Sequence, residues 1–393
     1  MKVATSPTAE RSTTGPAGVG HVLSPGRPSP AAVAPIDTTG HLESVPGLPV
    51  GVDLLARLEG ICAHRGLGNL ADRLSDMVAF IGQDLEQFEL ELDKLPRNER
   101  RVNHSAHHLL ERGGKRLRPM CVALASRMGT GFDHRALDLA VAVELVHNAT
   151  LLHDDVVDVS DVRRGAPTAR TVYGNAASIF AGDWLLIEAL RRVNRSGLPG
   201  VLEELFAIIE EMILAESLQL ETRGLVSADR GIYFQVVEGK TASVFRWAMS
   251  AGGHAGGLDE SHRAQLVDYG RHLGITFQAT DDLLDLTGDS AKTGKMLFTD
   301  LREGKMTFPM IVALERDPEL RPIVEEILAE EEVTDQAAER VVSALRETRA
   351  VEECRRLARR HSDQALAALA VLPDGRARRA LATVAESIVD RDL

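Results

Sequence analysis

Apolar residues recur along most of this chain at the three- and four-residue spacing of an amphipathic helix. The first long stripe follows Asn69, whose side chain is suited to cap a helix N-terminus. Its apolar members are Leu70, Leu74, Met77, Val78, Ile81, Leu85, Phe88 and Leu92. The sequence has no alternating strand pattern and no Asn-Gly hairpin turn between candidate strands. The pattern therefore predicts an all-α protein.

Further apolar helical stretches are separated by Gly, Pro or Asp. They are Arg135–Val157, Ala176–Arg192, Val201–Glu221, Tyr233–Ala251, His262–Asp285, Phe308–Glu315 and Ala337–Leu372. A shorter helical pattern starts near Val52 and includes Leu54, Leu58 and Ile61. We therefore predict an accessory helix over residues 51–71 and a main domain over 72–393. The accessory helix fits a packing element, a dimer extension or a membrane-surface helix equally well.

Residues 1–50 are rich in Pro, Gly, Ser, Thr and Ala and have few large apolar side chains. Such a segment buries too little surface to offset its ordering entropy, so we predict that it is disordered. A transit peptide is the alternative, because acidic residues are sparse there, but Arg is also scarce and no amphipathic pattern appears. No apolar run reaches the roughly 18 residues of a membrane span, so no transmembrane segment is predicted.

Composition limits the class of protein. The chain has 393 residues, of which 44% are hydrophobic, 26% charged and 4% aromatic, as in one globular domain with appendages. A net charge of −13 disfavours nucleic acid as a partner, because no basic excess exists to displace counterions. Cys62, Cys121 and Cys354 lack CxxC spacing, which argues against a disulfide framework or zinc site and favours the reducing cytoplasm.

An acidic pattern occurs twice, as DDVVD at 154–158 and as DDLLD at 281–285. On a helix the first and last Asp of each pentad lie on one face, and carboxylates in apolar surroundings need partners. Clustered carboxylates without His or Cys suit Mg²⁺, which also binds phosphate. One pentad alone is also typical of a solvated acidic turn. Two pentads 127 residues apart (281 − 154) predict a diphosphate clamped between two metal-binding faces.

Basic residues accompany both pentads. They are Lys115, Arg116 and Arg118 in the Gly-rich start of a helix, Arg163 and Arg164 after the first pentad, Lys240 between the pentads, and Lys292, Lys295 and Lys305 after the second. Guanidinium groups bind phosphate with two parallel hydrogen bonds, and lysine supplies a point charge. No GxxxxGK[ST] sequence is present, so the phosphate site is not a P-loop.

In order and spacing, GGKRLRP, LVHNATLLHDDVVDVSDVRRG, GKTA, FQATDDLLD and DLREGKMTFP resemble the motifs of the trans-isoprenyl diphosphate synthase family. The likeness extends from about residue 72 to the C-terminus and is greatest to bacterial long-chain, octaprenyl-type members. It implies the all-α isoprenoid synthase fold, an antiparallel helix bundle around a large central cavity, and a homodimer. It also implies head-to-tail condensation of isopentenyl diphosphate with an allylic primer, farnesyl or geranylgeranyl diphosphate.

The resemblance assigns roles to individual residues. About three Mg²⁺ ions are expected on Asp154, Asp158 and Asp281, and Asp155, Asp282 and Asp285 complete the catalytic acidic set. The expected isopentenyl diphosphate ligands are Lys115, Arg118, His147 and Arg164. The expected allylic diphosphate ligands are Arg163, Lys240, Thr241, Gln278 and Lys295, and Lys240, Thr241 and Phe277 are also expected beside the allylic cation. Phe298 departs from the family, which usually has Gly three residues after the equivalent of Lys295.

Product length is expected to depend on Ala149 and Thr150, which lie about one helical turn before Asp154. Short-chain relatives carry bulky residues there, so the two small residues predict an open tunnel and a product of about six to nine isoprene units. The alternative is a geranylgeranyl diphosphate synthase, with the tunnel closed by a neighbouring helix through a residue such as Phe180. A product this apolar suggests transient contact with a membrane surface.

Other classes fit less well. A class I terpene cyclase usually pairs DDxxD with an NDxxSxxxE motif, and a non-catalytic regulatory subunit normally lacks one acidic motif. Glu144 and His147 form an ExxH half-site of a di-iron bundle, but the sequence has no second half-site. His104, His107 and His108 have helical chelate spacing without an acidic or Cys partner, so we predict an exposed helix face there.

Overall fold

The computed structural model describes residues 68–163, 165–287, 298–330 and 333–390. The predicted disordered extension over 1–50 lies outside the described residues, as does most of the predicted accessory helix. Arg164, Lys292 and Lys295 lie outside them too.

Within these residues all regular secondary structure is helical apart from one short hairpin, so the predicted all-α class is confirmed. The helices are α1 (Gly68–Asp93), α2 (Arg101–Leu110), α3 (Leu117–Ser126), α4 (His134–Val157), α5 (Ala169–Tyr173), α6 (Asn175–Ser196), α7 (Val201–Thr222), α8 (Arg230–Val237), α9 (Ser243–Ala255), α10 (Glu260–Thr287), α11 (Thr299–Arg302), α12 (Phe308–Arg316), α13 (Arg321–Glu330), α14 (Asp335–Glu347), α15 (Ala350–Ala370) and α16 (Arg376–Asp390). A π-helical turn (Glu238–Ala242) joins α8 to α9, and a 3₁₀ turn (Pro318–Leu320) precedes α13.

Helix starts and buried faces follow from the local sequence. The Asp133 carboxylate accepts hydrogen bonds from the amides of Arg135 and Ala136, which caps α4. Helix α1 begins at Gly68, one residue before the predicted cap, and its apolar stripe from Leu74 to Leu92 is buried in the bundle. The stripe therefore has the helical period that the sequence predicts.

Two local predictions are wrong. The stretch Ala337–Leu372 is two helices, because Arg349 takes a left-handed conformation (φ 54°) between α14 and α15 without a Gly or Pro to announce the break. The chain also forms a two-residue antiparallel hairpin in which β1 (Val162–Arg163) pairs with β2 (Ala166–Pro167). Gly165, at φ 72°, supplies its turn.

The predicted exposed histidine face on α2 is also only partly right. His104 is exposed, but His107 is buried, with its ring against Trp184 and its Nε2 3.1 Å from the carbonyl oxygen of Pro96. The Nε2 of His108 lies 2.9 Å from the carbonyl oxygen of Pro167. Backbone partners therefore satisfy these two rings, which pack α2 against its neighbours.

Helices α4 and α6 pack antiparallel along their length. The Ser178 hydroxyl donates to the carbonyl of Leu152 at one end, and Arg192 pairs with Asp138 at the other. Helix α9 contacts both α4 and α10, and α15 covers α10 on another side. The helices that carry the two acidic pentads are thus surrounded by other helices. Among the residues placed in the structure, no helix is both long and apolar enough to cross a bilayer.

Candidate active site

The first pentad forms the last turn of α4, where Asp154 and Asp158 meet basic side chains from distant segments. Lys240 Nζ lies 3.4 Å from Asp154 Oδ2. Lys305 Nζ donates to Asp158 Oδ2 at 2.8 Å, and Arg223 pairs with Asp158 Oδ1. The predicted first and last carboxylates of this pentad therefore both lie among cations.

The middle carboxylate of the same pentad points into the protein. Asp155 is buried, and its Oδ1 accepts a hydrogen bond from Arg163 Nε at 2.6 Å. Arg163 lies in β1, so this contact ties the hairpin to the end of α4. In this structure Arg163 orients an acidic residue, and its expected contact with the allylic diphosphate stays a prediction.

The second pentad divides in the same way between a half-exposed and a buried carboxylate. Asp281 is 35% exposed, and its Oδ1 lies 3.8 Å from Lys115 Nζ. Asp282 is buried and accepts hydrogen bonds from the Tyr233 hydroxyl (2.8 Å), Gln278 Nε2 (2.8 Å) and the Phe308 amide (3.3 Å). Asp282 therefore anchors this part of the helix to its buried neighbours, and Asp281 is the carboxylate that faces the site.

The last residue of the second pentad organises the segment that follows. The Asp285 carboxylate accepts hydrogen bonds from the amides of Thr299 (3.1 Å) and Asp300 (3.3 Å), at the start of α11. Phe298 takes a left-handed conformation (φ 63°) and is buried in an apolar cluster. A left-handed backbone favours glycine, and burial of the Phe298 ring offsets the strain of a side chain there.

Two separate segments connect the pentads to each other. In the π-helical turn, Lys240 lies beside Asp154, and the next residue, Thr241, donates its hydroxyl hydrogen to Gln278 Oε1 at 3.0 Å. Gln278 in turn holds Asp282. A π-helical turn frequently marks a functional site, and here it points consecutive side chains at the two acidic faces.

The second connection is the segment Phe298–Lys305. Its first residues bind Asp285, and its last residue binds Asp158. Since both connections join the same two pentads, the two acidic faces border one site. Sequence spacing alone could not establish this, because 127 residues separate the pentads.

The basic residues of the GGKRLRP turn point in two directions, one into the core and the others towards the second pentad. Arg116, at φ 49°, is buried and pairs with Glu89 (3.0 Å) and Glu144 (2.5 Å). Asn148 also donates to Glu144 Oε1, at 3.2 Å. Glu144 therefore belongs to a buried ion pair, which argues against its role as an iron ligand in an ExxH half-site. His147, one turn away, is half-buried.

Lys115 and Arg118 lie on the side of the second pentad. Lys115 Nζ is 5.4 Å from the centre of the Phe277 ring, and the Arg118 guanidinium carbon is 4.7 Å from the Phe245 ring and 5.9 Å from Phe277. Within the described residues the buried Nε–H of Arg118 has no hydrogen-bond partner. Aromatic faces thus hold a guanidinium whose buried donor fits an anionic ligand.

Burial and neighbouring charges set the ionisation of the carboxyl groups. Burial raises the pKa of Asp154, although Lys240 opposes it. Burial also raises the pKa of Asp282, to about 6, against the hydrogen bonds from Gln278 and Tyr233. Burial acts in the same direction on Asp158, but Lys305 outweighs it and brings the pKa of Asp158 below its ordinary value. Within the first pentad, Asp158 is therefore the carboxyl group whose charged form the neighbouring cations favour most.

The donor chemistry of Asp154, Asp158 and Asp281 fits Mg²⁺. All are carboxylates, and Asp154 and Asp281 keep part of their surface accessible. Proteins often bind Mg²⁺ through one or two carboxylates together with water and substrate phosphates. In the described part of the chain no three His, Cys, Asp or Glu side chains gather closely enough to hold a metal ion by themselves.

The residues predicted to control chain length lie on α4, about one turn before the first pentad. Ala149 is buried, and Thr150 is half-buried and donates to the carbonyl of His147. Phe180 is 59% exposed on α6 rather than packed into the bundle.

The sequence analysis did not identify Arg223, Tyr233 or the half-buried Asp300 as site residues. Asp300 lies in the motif DLREGKMTFP, which also contains Lys305, so that motif could have indicated Asp300 as well. Arg223 follows an apolar helix outside every motif, and only its contact with Asp158 reveals it.

Comparison with known proteins gives consistent matches. The sequence model of the family described as polyprenyl synthetase matches residues 99–345. Heptaprenyl diphosphate synthase component 2 of Geobacillus stearothermophilus is 35% identical over 81% of this chain and 99% of that protein. Octaprenyl diphosphate synthase of Escherichia coli is 36% identical over 77% of this chain and 93% of that protein. The crystal structure of a polyprenyl synthase from Caulobacter crescentus, complexed with calcium and isoprenyl diphosphate, has a TM-score of 0.76 and 33% identity over 81% of this chain and 98% of that one.

Proposed function

Because this chain belongs to the polyprenyl synthetase family, we propose that it is a Mg²⁺-dependent trans-polyprenyl diphosphate synthase, which condenses isopentenyl diphosphate head to tail with an allylic diphosphate. The observation that carries the proposal is the double connection between the pentads, through the π-helical turn and through Phe298–Lys305. These connections support a single site that is bordered by both acidic faces and their cations. A diphosphate carries the charge that such a site is built to bind.

The basic residues separate into two groups by position. Lys115 and Arg118 lie over Phe277 beside the second pentad, and we assign them to isopentenyl diphosphate together with His147 and Arg164. Lys240 and Lys305 contact the first pentad, and we assign them to the allylic diphosphate, with Gln278, Thr241, Arg163 and Lys295 as further ligands. Arg118 has the unpartnered donor that a phosphate oxygen would satisfy.

In the reaction, the allylic C–O bond breaks and the diphosphate leaves with the electron pair. Asp154, Asp158 and Asp281 would hold Mg²⁺, which would neutralise the charge of this leaving group. Lys240 adds positive charge at the same point, and the π-helical turn presents backbone carbonyls and the Thr241 hydroxyl to the allylic cation. The isopentenyl double bond, oriented by Lys115 and Arg118, then attacks the allylic cation to form the new C–C bond. The carbocation that results transfers a proton to the departing diphosphate, which restores a double bond.

We propose a long-chain product of about six to nine isoprene units, supported by the small residues below Asp154. Replacement of Ala149 by Phe would put a bulky ring about one helical turn before Asp154. We expect wild type to make long chains and Ala149→Phe to make products of about three or four units, resolved by reversed-phase thin-layer chromatography. A wild-type product of that short length would instead identify a geranylgeranyl diphosphate synthase.

We propose that two copies pair through α6 and α7. Both helices carry exposed apolar side chains, namely Ile179, Phe180, Ile187, Phe206, Ile213, Leu214 and Leu220. Exposed apolar patches of this kind mark interaction sites. Light scattering should report a dimer for wild type and a monomer for Ile213→Glu, and a wild-type monomer would contradict the proposal. We propose a cytoplasmic location, which the free buried thiol of Cys121 supports, and the apolar product would bring the protein to a membrane surface there transiently.

The direct test is to incubate purified protein with Mg²⁺, radiolabelled isopentenyl diphosphate and farnesyl diphosphate. Asp154→Ala and Asp281→Ala should each lower kcat by a few orders of magnitude while the helical circular dichroism is unchanged. Asp363→Ala, at an exposed Asp on α15, is the matched control and should retain wild-type kcat. Either pentad variant with more than about a tenth of wild-type kcat would contradict the two-face site.

A further inference from the structure

Arg223, which follows the last residue of α7, contacts the first acidic face and lies outside every motif in the sequence. One Nη pairs with Asp158 Oδ1, and the other donates to the carbonyl of Val157 at 3.2 Å. Lys305 holds the second oxygen of the same carboxylate at 2.8 Å. Both oxygens of a predicted metal ligand are therefore occupied by cations of the protein itself.

The backbone keeps Arg223 and Lys305 together. The amide of Gly224 donates to the carbonyl of Gly304 at 3.0 Å, so the residues next to the two cations are joined. A Cβ on Gly304 would lie 2.9 Å from the Gly224 nitrogen and 3.0 Å from Arg223 Cγ, and Gly304 has a φ of 78°. This close approach needs glycine, and it presents the guanidinium to Asp158 beside the lysine.

Arg223 also has unused capacity to bind an anion. Its side chain is 25% exposed, whereas that of Asp158 is only 5% exposed. Among the described residues, the buried Nε–H of Arg223 has no hydrogen-bond partner. A guanidinium with an unused donor beside a carboxylate that must bind metal is suited to exchange one anionic partner for another, because phosphate accepts the same forked hydrogen bonds as a carboxylate.

We propose that Arg223 is an exchangeable counter-ion: it neutralises Asp158 when no metal is bound, and it moves to the diphosphate when Asp158 binds Mg²⁺. The proposal rests on the proposed function and adds a substrate ligand to it. Two consequences follow from charge alone. The guanidinium competes with metal for Asp158 in the free protein, and it adds to diphosphate binding once the metal is in place.

Loss of Arg223 should therefore strengthen metal binding and weaken diphosphate binding. A merely structural role would not shift the two affinities in opposite directions. In Arg223→Gln, Mn²⁺ should bind the free protein several-fold more tightly, measured by electron paramagnetic resonance, since Mn²⁺ shares the oxygen ligands of Mg²⁺. Inorganic diphosphate in saturating Mg²⁺ should bind about tenfold more weakly, measured by calorimetry, the loss expected for one charge-assisted hydrogen bond. In turnover, KM for the allylic diphosphate should rise more than kcat falls.

Two further variants complete the experiment. Arg246→Gln removes an arginine of similar exposure that pairs with Glu211 on α7, and it should leave both binding constants unchanged. Arg223→Lys keeps a positive charge but loses the two parallel hydrogen bonds of the guanidinium. Mn²⁺ affinity should therefore stay near that of wild type, while diphosphate binding should still weaken. If Arg223→Gln fails to fold, Arg223→Lys decides by the same diphosphate measurement.

Unchanged or weaker Mn²⁺ binding in Arg223→Gln would overturn the competition, and unchanged diphosphate binding in either Arg223 variant would overturn the exchange. Neither measurement needs turnover. A wild-type protein that binds Mn²⁺ and diphosphate as described but forms no prenyl product would refute the proposed function and leave the exchange supported.

Discussion

Replacement of the buried Arg116 by Met should strongly destabilise the protein. Arg116 Nε and Nη2 bind the two oxygens of Glu89 at 3.0 and 3.3 Å, and Nη1 binds Glu144 at 2.5 Å. The Glu144 side chain is only 3% exposed. Loss of the guanidinium leaves that carboxylate buried without a cation, a change that costs about 3–5 kcal/mol. Domains of this kind have a free energy of unfolding of only about 5–15 kcal/mol.

A double-mutant cycle measures the interaction. Urea unfolding at pH 7, followed by far-UV circular dichroism, would give the free energy of unfolding for Arg116→Met, Glu144→Gln and the double variant. We expect Arg116→Met to lose about 3–5 kcal/mol and Glu144→Gln to restore about half of that loss in the Arg116→Met background, because an amide needs no counter-ion. An Arg116→Met loss below about 1 kcal/mol, or strictly additive changes, would refute this account of the ion pair.

Three further predictions concern stability near the site. Val159, a β-branched residue at φ 55°, is strained, so Val159→Asn should raise the free energy of unfolding by about 1 kcal/mol in urea titrations; a loss would contradict the strain. Burial, and then His272, lower the pKa of His361 to about 4, so the unfolded chain binds this proton more readily and stability falls as pH drops from about 6.5 to 4. His361→Asn should make that decline in melting temperature shallower, and an unchanged decline would refute it. Tyr233→Phe removes one hydrogen bond to Asp282 and should cost about 1–3 kcal/mol in the same urea assay, whereas a cost near zero would mean that the bond adds nothing.

Local sequence was sufficient wherever one segment decides its own structure. The apolar stripes of α1, α4, α6 and α7 appear as helices within a few residues of their predicted bounds, because burial of one face at period 3.6 is a property of each segment. The break at Arg349 was not predictable in this way. A left-handed residue that is not Gly, Asn or Asp leaves no local signal, since tertiary packing compensates its strain.

The acidic site shows the same division. The sequence by itself predicted metal-binding chemistry, because two pentads of carboxylates in apolar helices have few other uses, and it identified the family through five ordered motifs. Only the tertiary structure decided which carboxylates face the site. Asp154, Asp158 and Asp281 meet cations there, whereas Asp155 and Asp282 point inward to Arg163 and Tyr233.

The tertiary structure also decided which partners the basic residues contact. Lys115 and Arg116 are neighbours in one turn, yet one lies beside Asp281 and the other is buried between Glu89 and Glu144. Arg223 reaches Asp158 from a helix end 65 residues away. Residue type and spacing specify what a side chain is able to bind. The partner it does bind depends on which distant segments packing brings within a few ångströms, and electrostatic interaction energy depends on that separation and burial rather than on distance along the chain.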